Sequence, residues 1–77
     1  MMKIKIYTTK TCPHCIALKK YFKEKGVEFK NLDVEDSDKA KEEMIEKSGQ
    51  MGVPVIDING KIIVGFDREK LEKILKK

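Results

Sequence analysis

The chain has 77 residues, enough for one domain with one modest core and too few for a second. Hydrophobic residues make up 40% and charged residues 39%, and no stretch approaches the roughly 18 apolar residues of a membrane span. The net charge of +4 comes from lysines interleaved with Glu and Asp, and Tyr and Phe are not threaded among them as a nucleic-acid platform would need. That favours solvated helix faces over a nucleic-acid platform.

Met1-Met2-Lys3-Ile4-Lys5-Ile6 lacks an apolar signal-peptide region, so a cytoplasmic location is expected. Lys3 to Tyr7 alternate polar with β-branched or aromatic residues, the period of a strand. Thr8 to Thr11 form a short polar loop, and Pro13 suits the first turn of a helix. That helix should turn Cys15, Leu18 and Phe22 inward and leave Lys19, Lys20, Lys23 and Glu24 in water, with Gly26 as its stop. Glu28 to Val34 make a second strand around Phe29 and Leu32.

Asp36, Ser37 and Asp38 offer caps for a second helix, whose Ala40, Met44 and Ile45 face inward and which ends near Ser48-Gly49. Val53 to Ile58 form a third strand. Asn59-Gly60 is a hairpin signal, because both central positions of a type I′ turn need positive φ. Lys61 to Val64 close the hairpin. Asp67 caps a last helix with a stripe of Leu71, Ile74 and Leu75, and Lys76-Lys77 suit its negative end.

The resulting order is βαβαββα in a single α/β domain over residues 1–77. The opening βαβ unit implies a parallel pair and the hairpin an antiparallel one. A four-stranded mixed sheet flanked by three helices follows, with no linker or repeat.

Cys12 and Cys15 are the chain's only cysteines. Three positions apart on the first turn of a helix, they share a face and can form a disulfide. Cys12 falls where unpaired backbone N–H groups and the helix dipole favour a thiolate. In a reducing compartment such a pair is catalytic or metal-binding more often than structural.

Three stretches carry a resemblance to a family. Ile6-Tyr7-Thr8 is followed closely by Cys12-Pro13-His14-Cys15. Gly52-Val53-Pro54 is similar to a Thr-Val-Pro signature whose proline is cis, and Val64-Gly65-Phe66-Asp67 to a Gly-Gly-x-Asp turn. Together they resemble the glutaredoxins and their small relatives in the thioredoxin superfamily. The resemblance implies the thioredoxin-like glutaredoxin fold and a thiol–disulfide oxidoreductase acting on protein disulfides or glutathione mixed disulfides.

In that reading Cys12 is the nucleophile and Cys15 the resolving thiol. Pro13 stiffens the turn, and His14 tunes the pair by stabilising the Cys12 thiolate. A cis Val53–Pro54 bond would lie against Cys12, where Val53 would pair with an extended substrate; read without the family, Pro54 is simply a tolerated proline at a strand start.

Lys10 and Asp67 are the candidate contacts for glutathione, each also explicable as a surface cation and a helix cap. The family's basic residue three places before the first Cys is Thr9 here, its first turn glycine is Val64 and its second Asp is Arg68. No tightly bound cofactor is expected; glutathione enters as co-substrate, and glutathione or a thioredoxin reductase supplies electrons to a monomer.

The rival reading is a soft-metal carrier, since copper-chaperone domains also place C-x-x-C between a first strand and a first helix. Against it stand Lys10 in place of their methionine, Pro13, and a chain that ends in a helix after a hairpin where theirs runs βαββαβ. Met44 and Met51 are read as packing residues, and no metal site is expected.

Overall fold

Strand alternation decides how this chain is layered. In a computed structural model, residues 3–75 are described. Their elements are β1 (Ile4–Thr8), α1 (Pro13–Glu24), β2 (Lys30–Asp33), α2 (Asp38–Ser48), β3 (Val55–Ile58), β4 (Lys61–Val64) and α3 (Arg68–Leu75). The strands form one sheet in the order β2-β1-β3-β4. β1 pairs parallel with β2, and the β1–β3 and β3–β4 pairs are antiparallel. The expected βαβαββα order and mixed sheet are present.

Successive side chains on a strand point to opposite faces. Ile4 and Ile6 of β1, Ile56 and Ile58 of β3 and Ile63 of β4 therefore meet Leu18, Tyr21 and Phe22 of α1 and Leu71 of α3 in one core. Tyr7 and Val55, on the opposite face, meet Val34 and the α2 residues Ala40 and Met44 in a second, smaller core. Truncating a fully buried member such as Leu18 or Ile56 to Ala would cost about 2–5 kcal/mol, lost transfer energy plus the cavity left behind.

The helix stripes differ in detail from expectation. Tyr21, 4% exposed, joins the α1 core face, its ring tilted against Phe22 and Phe66. Ile45, Ile74 and Leu75 are half-buried. Met44 is buried as expected, but Met51 is exposed: α2 ends at Ser48 with Gly49 as its C-cap, and the chain beyond carries residue 51 off the helix's inner face. Lys76 and Lys77 lie outside the described residues.

Two strands are shorter than expected. β2 begins at Lys30 because its ladder with β1 runs only from Lys5↔Lys30 to Thr8↔Asp33. β3 begins at Val55 because Pro54 has no N–H to extend a ladder. The hairpin turn matches its signal, with φ of 52° at Asn59 and 92° at Gly60. Among the described residues no helix is long and apolar enough to cross a membrane.

Candidate active site

The loop after β1 delivers Cys12 to the N-cap of α1, with extended backbone (φ −84°, ψ 114°) and Pro13 as the first helical residue. An N-cap side chain accepts from the first-turn N–H groups that have no helical partner. Here the cap is a sulfur: the Cys15 N–H donates to Cys12 Sγ at 3.3 Å. Cys12 is half-buried, and Pro13 and His14 are exposed beside it.

Cys15 is one turn further in and fully buried, and both cysteines carry free thiols. Burial pushes the Cys15 thiol up to about 11, reinforced by its hydrogen bond with Cys12 and opposed by the Thr9 backbone and the Lys19 charge. The two sulfurs thus occupy unlike surroundings, one partly open to solvent on a helix N-terminus, the other shielded.

The segment before β3 lies at the same end of the sheet, because β3 runs antiparallel to β1. The Val53–Pro54 bond is cis, Pro54 is buried and Val53 is half-buried. The Gly65 N–H donates to the Pro54 carbonyl at 2.8 Å, continuing the β3–β4 pairing past the strand ends. Gly65 has φ of 83°, the left-handed region that a side chain resists, and there the chain leaves β4 for α3. That turn anchors the proline loop to the start of the last helix.

Asp67 caps that helix, its Oδ1 accepting the Lys70 N–H at 3.2 Å. Lys10 lies two residues before Cys12 in the loop after β1, and its ammonium pairs with Asp36 Oδ2 at 3.1 Å. The Asp36 hydrogen bond, with the charges of Asp36, Asp33 and Glu35, raises the Lys10 pKa. Both candidate glutathione contacts therefore have partners inside the chain. Asp36, singled out in the sequence only as a helix cap, is the residue that holds Lys10.

A polar cluster under α2 was not foreseen. Lys47 Nζ donates to Asp57 Oδ2 at 2.7 Å and to the Tyr7 hydroxyl at 3.2 Å, and the Tyr7 hydroxyl donates to Glu43. Its signal was the strand period, which sets Lys5 and Tyr7 on one face of β1 opposite Asp57 and Val55 of β3. Among the described residues no group of three or more His, Cys, Asp or Glu side chains is arranged to hold a metal ion.

Comparison with known proteins agrees with this geometry. The glutaredoxin family model matches residues 4–63. A glutaredoxin-like 8.6 kDa protein of the rubredoxin operon of Clostridium pasteurianum is 49% identical over 74 residues, covering 96% of this chain and 99% of that protein. Glutaredoxin 3 of Escherichia coli K12 is 40% identical over 67 residues, 87% of this chain and 81% of that one. The crystal structure of a glutaredoxin from Archaeoglobus fulgidus superposes with a TM-score of 0.88 at 28% identity, over 100% of this chain and 89% of that one. With a C-x-x-C pair on the first turn of α1 and a cis-proline loop at the same end of the sheet, the chain belongs to the glutaredoxin family of thiol–disulfide oxidoreductases.

Proposed function

We propose that the chain reduces disulfides by a two-thiol route in which Cys12 attacks and Cys15 resolves. The observation that carries this is the contrast between a half-buried Cys12 sulfur accepting a backbone N–H and a Cys15 thiol that burial holds protonated. The Cys12 thiolate attacks one sulfur of the substrate. The substrate S–S bond breaks, one thiolate departs, and an S–S bond joins Cys12 to the other half. Cys15 then attacks Cys12 Sγ, passing its proton to the second leaving thiolate. Two electrons have moved from the dithiol to the substrate, and a Cys12–Cys15 disulfide remains.

The substrates in this reading are protein disulfides and glutathione mixed disulfides, presented as an extended segment beside Val53. The protein works as a monomer in the cytoplasm, and glutathione or a thioredoxin reductase returns it to the dithiol. His14, exposed beside Cys12, tunes the potential of the pair.

Turnover of a small mixed disulfide by Cys12→Ser and Cys15→Ser tests the assignment. Cys12→Ser should be inactive, whereas Cys15→Ser should stop at a mixed disulfide visible by intact mass. Full activity of Cys12→Ser would overturn it. Recycling with glutathione plus glutathione reductase, against recycling with thioredoxin reductase, identifies the electron donor.

A further inference from the structure

The sheet has an open edge at β4, two strands from the β1 strand that leads into the dithiol loop. β4 is its last strand and pairs only with β3. In an antiparallel pair, residues alternate between exchanging hydrogen bonds and facing their backbone groups outward. The Gly65 N–H to Pro54 carbonyl bond fixes the phase, so Ile56↔Ile63 and Ile58↔Lys61 exchange bonds. The N–H and C=O groups of Ile62 and Val64 therefore point to the free edge.

The two faces of that edge differ. Lys61 and Ile63 share the face of α3, where with Lys70, Lys73 and Ile74 they line a groove of about 270 Å³ that also takes in Ile62. Ile62 and Val64 lie on the opposite face, and Val64 is 48% exposed. Lys61, Lys70 and Lys73 are all exposed. Among the described residues the ion pairs are made by Lys5, Lys10 and Lys47, and none of these three lysines is engaged.

We propose that the β4 edge docks an extended acidic segment of a partner protein by strand addition. The guest's main chain would bond to Ile62 and Val64. Its alternate side chains would be carboxylates toward Lys61, Lys70 and Lys73 and β-branched apolar groups toward Ile62 and Val64. Charge chooses this occupant over a second copy of the chain. Edge-to-edge pairing of two β4 strands keeps the α3 faces on one side and brings the lysines of both copies together, which is how edge lysines block self-association. The same charges attract an acidic strand.

The test uses the whole protein, isotope-labelled, titrated with the hexapeptide Glu-Val-Glu-Val-Glu-Val and with Lys-Val-Lys-Val-Lys-Val. The acidic peptide should shift amides of residues 61–64 and 70–73, bind more weakly as salt rises, and leave the loop around Cys12 unmoved. Reversing two charges with Lys70→Glu/Lys73→Glu should weaken it about tenfold. That variant should keep its ordinary disulfide reductase turnover, which shows that it is folded. Equal binding of the basic peptide, shifts centred on residues 10–15, or undiminished affinity of the double variant would overturn the proposal. So would edge-to-edge dimers in place of peptide binding. Binding by Cys12→Ser should match the parent, so failure of the redox assignment leaves this outcome readable.

Discussion

The amide of Cys15 donates to the sulfur of Cys12, at 3.3 Å. Cys15 thus serves Cys12 through its backbone, while its side chain lies buried on the core side of α1. A helix N-terminus offers its N–H groups whatever the side chains are. The amide bond to Cys12 survives any side-chain change at position 15, and a serine there also keeps a donor where the Cys15 thiol meets Cys12. Cys15→Ser should alkylate at Cys12 as fast as the parent, within about twofold, when followed by iodoacetamide labelling and mass spectrometry. A tenfold slowing would show that the Cys15 thiol, and not its amide, is what Cys12 depends on.

The Cys15 thiol should itself resist alkylation in the folded, reduced protein until pH nears 11, since burial pushes its pKa to about 11. The stability consequence has a definite sign. A thiol whose pKa is higher folded than unfolded contributes stability that is complete below its unfolded pKa of about 8.5 and lost as pH climbs through about 11. Urea midpoints of the reduced protein should fall across that window, and those of Cys15→Ala should fall less. Parallel curves for the two proteins would refute the assignment.

Lys47 and Asp57 tie α2 to β3, with Tyr7 and Glu43 completing the cluster. Burial of Asp57 opposes its ionisation. The Lys47 hydrogen bond, the Gly60 N–H and the charges of Lys47 and Lys5 outweigh that and hold its pKa below the usual value. Glu43 is also lowered, chiefly by the Tyr7 hydroxyl. Both carboxylates therefore contribute stability that is present above their unfolded pKa values, about 4, and is lost as pH falls through the folded ones. Asp57→Ala should destabilise at pH 7 by about 1–3 kcal/mol, because Lys47 is partly solvated and recovers some of the loss from water. The deficit should shrink towards pH 3 in urea titrations. A deficit that is constant with pH would mean packing, not charge, explains it.

The layering and the thiol pair were legible in the sequence because both follow from local rules. Strand alternation, the Ser37 cap on α2, the Asn59-Gly60 turn and Pro13 after Cys12 act over a few residues each. The partners of Lys10 and Asp57 were not legible, because they join positions 26 and 10 residues apart through the tertiary fold. Tyr21 was missed for another reason. A tyrosine reads as tolerant of water, and only its position between α1 and the Phe66–Arg68 turn shows that its ring is enclosed.

That enclosure predicts a substitution that does not destabilise. Among the described residues the Tyr21 hydroxyl is buried and has no hydrogen-bond partner, and burial with the nearby Glu72 charge raises its pKa. A buried hydroxyl without a partner forfeits its solvation and gains nothing in return. Tyr21→Phe keeps the ring stack against Phe22 and Phe66 and removes the oxygen. Its thermal midpoint should equal or exceed that of the parent, by up to about 1 kcal/mol of stability. A loss of 1 kcal/mol or more would reveal a bond that the hydroxyl makes.

Asp36 holds Lys10, the cation nearest in sequence to Cys12 on its N-terminal side. Both side chains are mostly exposed, so the pair adds little to stability, but it sets where the ammonium rests. Asp36 competes with a substrate carboxylate for the Lys10 ammonium. Asp36→Asn removes that competition while preserving size. For glutathione mixed disulfides it should lower KM by about twofold to fivefold with kcat unchanged, because the freed charge acts on binding and not on the sulfur chemistry. The gain should fade at high salt, where exposed charges are screened. Lys10→Gln should abolish the response to Asp36→Asn, so the double variant matches Lys10→Gln alone. An unchanged KM in Asp36→Asn, measured at low ionic strength, would remove Lys10 from the substrate site.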